Sequence, residues 1–289
     1  MPENTRGVNL VSVIVKPSGA GLKVGEGLPR GASPVNAKRA DRGKEDRDME
    51  RESLLNDIPN TAAVLALLIA GVEILMQLAG SGVLAGAAGI GWRADTVTDF
   101  GFFPAVQHEM FARSLFVPEF LWRYVTYPFI HSGFTHAFFA MAIVLALGKF
   151  VGERWHWASM LAVFVVPSIV AAMVFGTVAP ENWPLYGAYP PIYGLIGAFS
   201  YMMWMRLGQT GQNRWRAFSM IGMLLIIQVM WGLMLKIFAV LGMGGDATPM
   251  VFYVGVADMA GFFAGLLLSP LVGPGGWAAF VNRIRQRSD

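Results

Sequence analysis

Six stretches of roughly 20 residues, about 61–81, 133–152, 158–179, 191–207, 217–241 and 252–272, are almost purely apolar. A helix needs about that length to cross a hydrocarbon core, and only helices or closed barrels satisfy their backbone there. The chain therefore reads as an all-α membrane protein with a bundle of six transmembrane helices. Composition agrees: 55% of the 289 residues are hydrophobic and 14% charged, against roughly a quarter charged in soluble domains.

The absence of cysteine excludes disulfides, thiolate metal sites and a cysteine nucleophile. Nothing points to another metal site or to a cofactor. The net charge of +3 comes from short basic clusters beside the apolar runs, where lysine and arginine set orientation. No nucleic-acid motif accompanies them. Lys38, Arg39, Arg42, Lys44, Arg47 and Arg51 precede the first run. Lys149 and Arg154 follow the second, Arg206, Arg214 and Arg216 the fourth, and Arg283, Arg285 and Arg287 the sixth. Both termini are thus expected on the cytoplasmic side, in the inner membrane if the source is bacterial, with 274–289 a basic cytoplasmic tail. Arg93, Arg113 and Arg123 in the first outer loop run against this count, but the loop is long enough to be translocated regardless. Its mixture of aromatic residues and arginine suits a structure half-sunk in the interface.

Residues 1–48 are rich in glycine and charge and lack the apolar core of a signal peptide. Such composition predicts a disordered tail. It is either an interaction segment or the product of a start assigned upstream of Met49, with the membrane domain occupying 49–273.

The segment "WRYVTYPFIHSGFTHAFFAMAIVLALGKFVGERW", residues 122–155, carries a more specific signal. Its aromatic "TYPFIH", a second histidine five residues on and a glycine–glutamate pair near the inner end resemble the second transmembrane helix of the rhomboid intramembrane serine proteases. The resemblance extends over about residues 60–272 and implies that family's six-helix fold. His131 and His136 match the family's two histidines, the second of which helps bind the oxyanion together with an asparagine. Ala140 stands at the asparagine position, and Glu153 matches the glutamate that ends the helix.

The fourth span of rhomboids opens on G-x-S-G, with serine the nucleophile, and their sixth carries the general base in A-H-x-G-G-x-x-x-G. Here the first motif reads Pro191-Ile192-Tyr193-Gly194 and the second begins Ala257-Asp258. Tyrosine replaces the nucleophile and aspartate the base. A phenol with a pKa near 10 is a poor acyl acceptor at neutral pH, and a carboxylate is a weak base beside imidazole. Ser200 shares the face of Tyr193 but lies roughly 10 Å deeper. None of the four histidines, His108, His131, His136 and His156, falls in the sixth run.

The small-residue faces match the family better. Gly194, Gly197 and Ala198 line the fourth run, and Ala257, Gly261 and Gly265 form a ridge on the sixth, the pattern by which membrane helices approach closely. The resemblance thus implies a scaffold without its catalytic dyad. Such a protein would bind transmembrane segments of client proteins, as inactive rhomboids and derlins are thought to, with the lipid bilayer and no small-molecule cofactor as its other partner. The alternative is an active serine-type intramembrane endopeptidase with an unrecognised nucleophile. A transporter would show inverted repeats or broken half-helices, and no repeat is evident.

The residues by themselves are compatible with this. His131 and His136, five apart, are turned about 140° from each other on a helix and do not chelate one metal from a shared face. Glu73 and Gln77 share a face of the first run, turned to the bundle interior, and Lys236 can snorkel from the fifth. Helices starting near 191 and 252 put Tyr193 and Asp258 roughly 3 and 9 Å deep. Two partners are open to the buried Asp258 on that basis: the Tyr193 hydroxyl, directly or through one water, or His136.

Overall fold

The computed structural model describes residues 58–278, with Asn282 and Gln286 beyond them. The tail expected over 1–48, the start at Met49 and most of the basic segment 274–289 lie outside the described residues.

The described chain is helical throughout, with one isolated two-residue bridge as its only extended pairing. The first apolar run forms α1 (Asn60–Gly80). Four short helices follow in the outer loop: α2 (Trp92–Phe100), α3 (Pro104–Ala112), α4 (Pro118–Leu121) and α5 (Arg123–Thr126). The remaining runs form α6 (Phe134–Gly152), α7 (Trp157–Val178), α8 (Tyr189–Gln209), α9 (Ser219–Val240) and α10 (Thr248–Val272). Prolines 190 and 249 sit in the first turns of α8 and α10, where the missing N–H has no helical partner to lose.

Five segments are long and apolar enough to cross a membrane: α1, α6, α7, Arg214–Val240 and α10. The fourth run forms the helix α8, which is 21 residues long like α1 but is not among these five. Its tyrosines, glycines, Ser200, Arg206 and Gln209 make it more polar than the others.

That polarity fits its place. Every residue of α8 from Pro190 to Ala198 is buried, because the helix is enclosed by α6, α7 and α10. Alpha-helix α1 lies against α6, where Gly148 leaves room for Ala62. By contrast, α9 buries only Ile221 and Gly232 and leans mainly on α10.

The connection between α1 and α6 is a folded cap. Phe102 and Leu185 exchange backbone hydrogen bonds at 3.0 and 2.8 Å. Phe102, Tyr124 and Tyr127 then bury themselves against Ala171, Phe175 and Ala257 of the spans. The loop arginines are consumed within the fold: Arg123 donates to the carbonyls of Thr98, Gly101 and Glu119, and Arg113 pairs with Glu109 at 2.7 Å.

Candidate functional site

The α8 and α10 helices touch backbone to backbone. A Cβ on Gly261 would collide with the carbonyl of Pro190, one on Gly265 with that of Gly194, and one on Gly197 with that of Phe262. Pro190 thus faces Gly261, and Gly194 and Gly197 both face Gly265, so the two helices run parallel in close contact.

The Asp258 carboxylate is 2% exposed, and its Oδ2 accepts a 2.8 Å hydrogen bond from Nε2 of Gln228 on α9. Its Oδ1 has no hydrogen-bond partner among the described residues. Neither Tyr193 nor His136 makes a direct hydrogen bond to Asp258 among the described residues: the bond comes from Gln228. The reason is that α9 packs on α10 and brings Gln228 to the carboxylate, while α10 begins at Thr248 rather than near 252. Gln228 had a readable signal, since it is the one amide inside the apolar run "IGMLLIIQVMWGLML"; what the run does not give is its register against α10.

Tyr193 is 4% exposed and sits in the apolar core with Ile192, Leu195, Val163 and Phe164. Ala140 is fully buried in the same cluster. Ser200 is buried too, its Oγ without a partner among the described residues.

The two histidines meet at the start of α6 and α8, with ring centroids 5.0 Å apart and edge to face. His131 precedes the helix and is 1% exposed; its Nε2 accepts from the Ala188 backbone N–H at 3.4 Å. Burial pushes its pKa down to about 4, so the ring is neutral at pH 7. His136 stacks flat on Tyr189 at 5.0 Å. Its Nδ1 lies 3.3 Å from the Ser132 N–H and 3.2 Å from the Ser132 Oγ. Gly187, with φ +104°, leaves room for this ring: a Cβ there would come within 3.0 Å of His136 Cε1.

A second polar cluster ties the site to α1. Arg93 grips Glu73 with two hydrogen bonds of 2.9 Å and donates to the His131 carbonyl. Gln77 adds a 2.6 Å bond to Glu73. Glu73 does face the interior, while Gln77 is exposed. Arg93 was not visible as its partner from sequence, because the pairing depends on how the cap folds back.

The Rhomboid domain family matches residues 118–275. The chain belongs to the rhomboid family. The match runs from α4 through α10 and takes in His131, His136, Tyr193 and Asp258, while α1 lies before it. Human Rhomboid-related protein 3 is 31% identical over 78 residues, which are 27% of this chain and 19% of that protein. The aligned stretch thus spans about a fifth of that relative's length. This rhomboid is a multi-pass integral membrane protein.

Chemically, the interior of this rhomboid offers a phenol buried in the core and a carboxylate bound to an amide. The one serine–histidine contact among the described hydrogen bonds is Ser132 with His136. No group of three His, Asp or Glu residues is placed to hold a metal among the described residues.

Proposed function

We propose that this rhomboid crosses the membrane six times, with α8 as the central span, and acts without proteolysis by binding transmembrane segments of client proteins. The observation that carries this reading is the engagement of Asp258 by Gln228 while Tyr193 is buried in the core. At the positions that resemble the nucleophile and the base, one side chain has no acceptor for its proton and the other no hydroxyl to activate. The glycine seam keeps the bundle in place around them. Both termini are assigned to the cytoplasmic side from the lysine and arginine count.

The test is photo-crosslinking from Phe134, at the start of α6, and from Val240, at the end of α9, both largely exposed. The expected product is a set of intact membrane proteins joined through their spans. Crosslinked proteins shortened at or near the span would mark an active endopeptidase.

A second reading, serine hydrolysis at the membrane surface, rests on Ser132 and His136. The Ser132 Oγ is exposed and a ring nitrogen lies 3.2 Å away. That nitrogen also receives the Ser132 N–H, a local bond that fixes the ring just before α6 begins, so we prefer the structural role. A fluorophosphonate probe is expected to leave the protein unlabelled; labelling that disappears in Ser132→Ala would establish hydrolysis instead.

A further inference from the structure

A cavity of about 540 Å³ opens at the far end of the bundle from the histidines, where α6, α8 and α10 all terminate. Two guanidinium groups line it, Arg154 and Arg206. Arg154 donates one bond, to the Phe150 carbonyl at 3.1 Å. Arg206 has no side-chain hydrogen bond or ion pair among the described residues, and no acidic side chain lines the cavity. Helix C-termini carry roughly half a negative charge each and fade within one turn. They account for some of the attraction to arginine but leave the cavity cationic.

The opposite wall is apolar. Phe150 and Phe199 meet edge to face at 5.6 Å, and Met202 continues the surface. Phe150 and Met205 are about half exposed, so this wall runs on into the lipid-facing side of the bundle. Paired cations at the end of a span, with an apolar track leading into the hydrocarbon, match one molecule already present in every membrane.

We propose that this cavity binds an anionic phospholipid, with Arg154 and Arg206 on its phosphate and an acyl chain over Phe150, Phe199 and Met202. Two guanidinium forks suit phosphate oxygens. A zwitterionic headgroup would bring its own cation beside two arginines with no carboxylate to receive it. A soluble phosphate would leave the apolar wall unused.

The experiment is native mass spectrometry of the purified full-length protein in detergent, titrated with phosphatidylglycerol. One lipid should be retained per chain, and Arg154→Gln with Arg206→Gln should lower its retention by about tenfold or more. Arg214→Gln with Arg216→Gln, at the same end of the bundle but outside the cavity, should leave it unchanged. Phosphatidylcholine should be held less, and inorganic phosphate at tens of millimolar should not displace the lipid. Equal retention by the cavity variant overturns the proposal, as does an equal loss in the control variant, which would reduce the effect to general surface charge. Equal binding of phosphatidylcholine or displacement by inorganic phosphate overturns it too, the latter by marking a plain anion site. If the double variant does not fold, Arg206→Gln alone decides: retention lower by about threefold supports the site, and unchanged retention removes it.

Discussion

Asp258 depends on a single donor. With Oδ2 bonded to Gln228 and Oδ1 bare, Gln228→Leu leaves a buried carboxyl group unpaired and should cost about 1–3 kcal/mol in detergent unfolding. Adding Asp258→Leu should recover part of that loss by removing the orphaned group, while Tyr193→Phe should be nearly silent. A large cost for Tyr193→Phe would show that the phenol, not the amide, supports the carboxylate. His131 makes a separate prediction through pH. Its folded pKa of about 4 lies below the usual 6.5, so between those values the unfolded chain binds more protons. Its contribution is therefore complete above pH 6.5 and lost as pH falls toward 4. The loss amounts to about 3 kcal/mol at that limit. Unfolding titrations at pH 7 and pH 4 should show wild type losing that much more than His131→Gln; equal losses would mean that the ring is not buried neutral.

The element scale is governed by glycine. Gly265→Ala would drive a Cβ into the carbonyl of Gly194, and backbone cannot step aside as a side chain does. A cost of about 3 kcal/mol or more is expected. Gly222→Ala, on α9 with nothing within 4 Å, should be neutral or stabilise by up to about 1 kcal/mol. Comparable effects at the two sites in unfolding titrations would refute the seam. This contact was legible in sequence because small residues every four positions imply close approach whatever the neighbours are. Helix existence was legible for the same kind of reason, each apolar run matching the bilayer. The start of α10 was not, since Thr248 and Pro249 begin the helix ahead of its apolar stretch. The four short helices of the cap escaped as well. They are fixed by contacts such as Phe102 with Leu185, 83 positions apart in the chain, rather than by any periodicity of their own.

At the scale of the molecule, sequence reading located the candidate site but not its wiring. His131, His136 and Tyr193 do lie near the starts of α6 and α8, while Asp258 stands near the middle of α10. Gln228 and Arg93 were missed because each acts across a gap that only tertiary packing closes. The same wiring bears on repair: Tyr193→Ser with Asp258→His should fold yet cleave no transmembrane substrate, since Gln228 still faces position 258 and the buried Ala140 offers no side-chain donor to an oxyanion. Turnover of a model substrate by that double variant would show that the cleft needs only the two side chains. The backbone contact between α8 and α10 has one more consequence. Neither the Tyr193 nor the Asp258 side chain forms the glycine contacts that join these helices. Inheritance of the architecture and inheritance of the chemistry are thereby uncoupled within one helix pair, and a lineage can exchange residues at 193 and 258 one at a time without passing through an ancestor unable to fold.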